Sequence, residues 1–180
     1  MRKLDMDELN RISSEQFKQE ANENVVVVLD NVRSMNNVGS LFRTADAFKV
    51  SKIYLCGVTA TPPHREIHKT ALGATESVNW EYYKETNEAI LVLKTLNYQI
   101  IAVEQTTQSV YLHNFEASKN RKYAFIFGNE AFGVADEVLP LCDIALEIPQ
   151  FGTKHSFNIV VSAGIVLWHY AYLAALTSDK

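Results

Sequence analysis

The sequence predicts an α/β domain, a mostly parallel sheet with helices on both faces. Three observations carry this. Val25-Val26-Val27-Val28-Leu29 is an unbroken apolar, mostly β-branched run, the pattern of a strand buried on both faces. Val38, Leu41, Phe42, Ala45 and Phe48 recur at i, i+3, i+4, i+7 and i+10, one face of a helix. Short apolar runs and helical patterns then alternate along the rest of the chain.

In chain order, residues 5–21 read as an amphipathic helix with Leu9, Ile12 and Phe17 inward. Residues 1–22 are thus expected to be a helical extension ahead of a main domain at 23–180. After the valine strand, residues 31–36 (NVRSMN) form a loop, with Asn36 or Asn37 placed to cap the next helix. Ile53–Cys56 is a second strand. Residues 57–65 (GVTATPPHR) are loop, because Pro62-Pro63 continues neither a helix nor a central strand. Residues 66–72 make a short helix stopped at Gly73, and 85–96 a longer one. Tyr98–Val103, Tyr123–Phe127 and Ile144–Ile148 are strands, and a last helix runs from near Ser156. Ile159 to Leu176 holds no Asp, Glu, Lys or Arg over 18 residues, the lower edge of a membrane span. Ser162, His169, Tyr170 and Tyr172 interrupt it and no basic cluster flanks it. It is read as a core or subunit-interface helix, with no membrane association.

The 180 residues are 47% hydrophobic and 21% charged, which suits one globular domain and excludes a disordered chain. Seventeen Lys and Arg against 21 Asp and Glu give a net charge of −4, which excludes a uniformly basic nucleic-acid binder. The charge is uneven. Residues 31–70 carry Arg33, Arg43, Lys49, Lys52, Arg65 and Lys69 against only Asp46 and Glu66, and add His64 and His68. This block is either a solvated face or a confined anion-binding surface. The two cysteines, Cys56 and Cys142, are too few for a disulfide framework or a cysteine-rich zinc site and point to a reducing, cytoplasmic setting.

Phosphate-loop, dinucleotide, HExxH, CxxC and GxSxG signatures are absent from the sequence. Three polar clusters remain. In Asn37–Ala45, Arg43 lies about 140° around the helix from Val38, off the apolar face. Gly39 one turn below leaves open space over that surface, and an ion pair with Asp46 at i+3 is the plain alternative. Phe127-Gly128-Asn129-Glu130 sets a carboxylate after a strand, where α/β ligands bind, or simply forms a turn. Ile148 to Asn158 brings Ser156 and Asn158 to the start of the last helix, as ligand-binding groups or as caps.

In order and spacing the three clusters resemble the motifs of the SpoU/TrmH-type RNA 2′-O-methyltransferases, within the SPOUT class. Asn37-Val38-Gly39-Ser40-Leu41-Phe42-Arg43-Thr44-Ala45 is similar to N-x-x-x-x-x-R-T-A, and Phe127-Gly128-Asn129-Glu130-Ala131-Phe132-Gly133 to F-G-x-E-x-x-G. Residues 148–162 follow I-P-M-x-G-x-x-x-S-L-N, with Gln150 in place of Met and Phe157 in place of Leu. The resemblance spans residues 25–175. It implies a trefoil knot at about 120–160 and S-adenosyl-L-methionine bound in the knot loops, without a metal. It also implies a homodimer whose interface uses the helix at 156–177, with Ser162-Ala163-Gly164 as a close-approach surface.

The resemblance further implies roles. Arg43 is the catalytic residue, holding phosphate and lowering the pKa of the target hydroxyl, with Asn37, Glu130, Ser156 and Asn158 as supporting catalytic groups. Glu104, Gly128, Ile148, Ser156 and Phe157 hold the cofactor, with Gly128 small so that the ligand can approach closely. Arg33, Arg43, His64, Arg65 and Lys69 contact RNA, tRNA before ribosomal RNA. The alternative is a catalytically silent RNA-binding module of the same fold.

Overall fold

The computed structural model describes residues 1–5, 7–118 and 120–176. Seven strands run parallel in the order β3-β2-β1-β6-β4-β7-β5. They are β1 Asn22–Asp30, β2 Val50–Cys56, β3 Asn79–Tyr83, β4 Tyr98–Val103, β5 Val110–Tyr111, β6 Lys122–Phe127 and β7 Ile144–Glu147. The helices are α1 Ser14–Glu20, α2 Met35–Ala47, α3 Arg65–Ala71, α4 Ala74–Ser77, α5 Thr86–Thr95 and α6 Ile159–Leu176. The expected α/β class is what the chain adopts. β6 enters between β1 and β4, and β7 between β4 and β5, although each follows both of its neighbours in sequence.

The apolar run of β1 is explained by two cores. Val25, Val27 and Leu29 face one core with α2, α3 and α6, where Leu41, Phe42, Ile67, Ala163 and Leu167 are buried. Val26 and Val28 face the other, with Ala89, Ile90 and Leu93 of α5. A strand covered on both faces has no polar side to alternate with.

Several boundaries differ from the sequence expectation. The helix over 5–21 reduces to α1 and a single 3-10 turn at Asp7–Leu9. Asn10 takes a left-handed φ of 47°, and Ser13 accepts the Gln16 N–H at 3.2 Å and starts the helix afresh. Phe17 is buried, Leu9 only half-buried and Ile12 exposed. The cap of α2 is Ser34, whose hydroxyl accepts the Asn37 N–H at 3.2 Å, not Asn36 or Asn37. Leu72, left-handed at φ 50°, ends α3 before Gly73. The strand β3 lies at the sheet edge and is mostly exposed, so NWEYY carries no buried run to reveal it. α6 starts at Ile159, not Ser156, and its expected end at 177 lies outside the described residues.

Gly39 is buried under α3 rather than beneath open space. A Cβ there would meet Thr70 Oγ1 at 2.2 Å and the Ile67 carbonyl oxygen at 2.3 Å. Thr70 also donates to the Asn36 carbonyl at 3.0 Å, so α2 and α3 pack as one unit. Along α6, Ile159, Ala163, Val166, Leu167 and Tyr170 are buried, while Val161, Trp168 and Tyr172 are exposed. Of Ser162-Ala163-Gly164, Ala163 is buried in the protein's own core, Ser162 lines a cavity and Gly164 has nothing within 4 Å of an added Cβ. No helix among the described residues is long and apolar enough to cross a membrane.

Gly39→Ala is expected to cost about 1–3 kcal/mol by overpacking the α2–α3 contact. Gly152, with nothing within 4 Å of its added Cβ, is the control, and Gly152→Ala should stay within about 0.5 kcal/mol in the same urea titration.

Candidate active site

The carboxyl ends of β4 and β6 open onto a cleft of about 320 Å³. It lies outside the carboxyl ends of parallel strands, where open α/β sheets bind ligands. Glu104, Gly128, Glu130, Ser156, Phe157 and Asn158 line it, so residues drawn from both later motifs converge as expected. Ile148 lines a smaller adjoining cavity of about 70 Å³ that shares Val103, Glu104, Phe157 and Ser162 with the first.

Glu130 ties this cleft to the first motif. Its Oε2 accepts the Arg33 N–H at 3.0 Å, and its Oε1 accepts the Ser34 N–H at 3.0 Å and the Asn37 side-chain amide at 2.8 Å. Partial burial pushes the pKa of Glu130 up, but these donors outweigh it and hold the carboxyl below its ordinary value. With its amide nitrogen on Glu130, Asn37 turns Oδ1 to accept the Asn158 side-chain amide at 3.3 Å. Asn158 Oδ1 in turn accepts the Val160 N–H at 2.9 Å and so caps α6. Asn158 is therefore the cap of α6 and also lines the cleft.

The loop after β6 is shaped by two glycines. A Cβ on Gly128 would lie 2.0 Å from the Gly133 carbonyl carbon and 2.1 Å from the Val134 nitrogen. Its smallness therefore admits the protein's own returning loop, while its backbone still lines the cleft. Gly133, at φ +71°, leaves room for Glu104 Oε2, which accepts the Val134 N–H at 2.9 Å. Asn129 braces the loop internally, its Oδ1 accepting the Ala131 and Phe132 N–H groups, and donates its amide to the Asn31 carbonyl at 2.7 Å. Asp30, 1% exposed, accepts from Thr86 Oγ1 at 2.5 Å, the Asn31 amide at 2.9 Å and the Ala135 N–H at 2.8 Å. The third-motif loop is pinned by Gln105 and Gln150, whose amides both reach the His155 carbonyl, at 3.2 and 3.4 Å. Gln150 thus has its own task where the motif has Met.

Arg43 stands apart. It is six residues, about 9 Å, farther along α2 than Asn37, and it does not line the cleft. Its side chain lines an apolar groove of about 750 Å³ between α2 and α6 and, on the other side, a cleft against the N-terminal segment. The alternative of an ion pair with Asp46 does not hold, because the Asp46 carboxylate accepts from the Ser77 hydroxyl and the Arg43 guanidinium has no partner among the described residues. Arg33, Arg65 and Lys69 are exposed. His64 is the N-cap of α3, with Nδ1 accepting the Glu66 N–H at 3.2 Å. Asp30, Asn129, Gly133 and Ser162 belong to the site's frame or lining but were not expected from sequence. The x positions of the motifs hide Asn129, and only the lone Asp at the end of β1's apolar run signals Asp30.

Fold and cleft together define an α/β protein with a cleft beyond the carboxyl ends of parallel strands and an asparagine–carboxylate network beside it. The profile of the SpoU rRNA Methylase family matches residues 24–168. The chain belongs to that family. It is 30% identical over 141 residues to a tRNA (guanosine(18)-2′-O)-methyltransferase of Borreliella burgdorferi, covering 78% of this chain and 63% of that protein. It is 29% identical over 157 residues to a 23S rRNA (guanosine-2′-O-)-methyltransferase of Neisseria meningitidis, covering 87% and 61%. The chain thus spans about six tenths of the length of these curated relatives. An AdoMet-bound rRNA methyltransferase structure from Sinorhizobium meliloti superposes with a TM-score of 0.77 at 26% identity, covering 87% of this chain and 59% of that one.

Glu130→Gln should destabilise the protein at neutral pH, where the wild-type carboxylate is ionised. A depressed folded pKa means that this advantage exists above the unfolded carboxyl pKa of about 4.3 and vanishes as pH falls through the lower folded value. Urea titrations of both proteins from pH 7 to pH 3 should therefore converge in acid. A gap that widens there would contradict the assignment.

Proposed function

We propose that this chain is an S-adenosyl-L-methionine-dependent RNA ribose 2′-O-methyltransferase, acting on tRNA in preference to ribosomal RNA. The observation that carries the reading is the convergence of Glu130, Asn37 and Asn158 in one hydrogen-bonded line at the mouth of the cleft lined by Ser156 and Phe157. The chemistry of the lining fits the cofactor. Apolar surface from Val103, Phe127 and Ile159 suits a purine, the hydroxyls of Ser156 and Ser162 carry no other partner among the described residues, and Glu104 and Glu130 supply negative charge toward a sulfonium. When bound, S-adenosyl-L-methionine would supply an electrophilic methyl group.

The chain's own residues do the rest. Glu104 holds the loop that encloses the cleft, and the backbone of Gly128, Ile148 and Phe157 holds the adenosine. Ser156 and Asn158 bind the substrate ribose or phosphate. Arg43 grips the phosphate beside the target ribose as a bidentate donor and lowers the pKa of the 2′-hydroxyl, whose proton passes to a phosphate oxygen. A single protomer keeps Arg43 outside its own cleft, so the reading includes a homodimer. The α2–α6 groove, lined by Val160, Val161, Gly164, Ile165 and Trp168, would seat the partner's last helix and bring Arg43 to the partner's cleft. The insertion of β6 between β1 and β4 and of β7 between β4 and β5 supports a threaded, trefoil path. The cationic surface at Arg33, His64, Arg65 and Lys69 would carry RNA contacts, doubled in the dimer.

Transfer of a labelled methyl group from S-adenosyl-L-methionine to bulk tRNA tests the activity, and mapping of 2′-O-methyl positions identifies the nucleotide. Arg43→Ala should abolish transfer while cofactor affinity, measured calorimetrically, stays within about twofold. Retained transfer would remove Arg43 from its role. Trp168→Glu should turn the dimer into a monomer in sedimentation and stop transfer with it. An active monomer would end the shared-site reading.

A further inference from the structure

Arg43 opens on its far side to a second cleft, about 700 Å³, that the cofactor does not use. Its walls are the second half of α2, the Ala71–Ser77 turn and the N-terminal segment at Asn10–Phe17. The buried ring of Phe17 fixes that segment in place, and the ion pair of Lys49 with Glu20, at 2.6 Å, fixes α1 to the end of α2. Most polar groups of the walls are thus committed. Asp46 accepts from Ser77, and Ser13 caps α1. Two guanidiniums are not. Arg11 and Arg43 both line the cleft, and neither has a hydrogen-bond or ion-pair partner among the described residues. Exposed Ile12 and Leu72 add apolar surface, and the Glu76 carboxylate is open to accept from an amino group.

Paired arginines, an apolar wall and one acceptor are the chemistry of a nucleotide, with phosphate on the cations and a base edge on the carboxylate. We infer that this cleft is a second RNA subsite, holding a nucleotide that flanks the target, with Arg11 as a phosphate-gripping residue that cooperates with Arg43. The inference rests on the RNA-methyltransferase reading for what Arg43 does, and it turns the N-terminal segment into part of the substrate surface. Arg11 positions RNA and touches no reacting atom.

The test is tRNA binding by the full chain, measured by filter retention at several salt concentrations beside methyl transfer. Arg11→Ala should weaken binding of bulk tRNA about fivefold to tenfold. It should also lower the slope of log affinity against log salt by about 0.7–0.9, one phosphate contact. The variant should raise KM for tRNA with kcat and cofactor affinity unchanged, and Arg11→Lys should recover most of the loss. Ile12→Glu, from the same wall, should weaken binding without altering cofactor affinity. Thermal transitions matching wild type exclude unfolding as the cause. Binding and slope indifferent to Arg11 overturn the subsite, even if methyl transfer is intact. Arg11-dependent binding with no methyl transfer to any RNA keeps the subsite and ends the activity reading. No retention of tRNA by the wild-type chain at low salt overturns both.

Discussion

A carboxylate can only accept, and it needs donors on all sides when it is held against protein. Glu130 meets that need by drawing in two backbone N–H groups ahead of α2 and the amide of Asn37. One side chain therefore docks the loop after β6 against the loop after β1. The consequences run outward. Asn37 must present its nitrogen to Glu130, so its oxygen faces Asn158, and Asn158 is left to cap α6 with its own oxygen. Elements that lie 121 residues apart in sequence are placed by a short line of polar contacts whose direction is set by a single charge.

The same constraint governs what the cleft can hold. Its frame is braced by backbone N–H donors to Glu104, Asp30 and Glu130, joined by the side chains of Thr86, Asn31 and Asn37. Its lining is left with uncommitted hydroxyls and aromatic edges. Phe132 and Phe151, 82% and 97% exposed, stand on the loops around it. Rigid support beneath and open groups above is the arrangement expected of a binding site rather than of a structural core.

Much of this was legible in the residues. The doubly buried β1 followed from five successive apolar side chains, and α2 from its apolar spacing. The second and third polar clusters meet in one cleft, which the first reaches only through the contacts of Asn37 with Glu130 and Asn158. What stayed hidden depends on contacts between distant segments. The role of Gly128 is set by where the loop at 133–134 returns, which no local pattern contains. The burial of Gly39 depends on α3, and the isolation of Arg43 from the cleft on how far along α2 it sits. Edge strand β3 escaped because exposure erases the periodic signal that identifies strands.

Asp30 carries a consequence for assembly. Its partners lie 56 and 105 residues away, at Thr86 and Ala135. Until both arrive, the end of β1 lacks two of the donors that the Asp30 carboxyl accepts from in the finished fold. The pocket, lined by Ser156, Asn158 and Ser162 among others, is completed only when chain well beyond residue 135 has been laid back across the sheet. A truncated or stalled chain would then keep much of its apolar interior but have no working cavity, so ligand capture would report a finished molecule more faithfully than the presence of helices and strands.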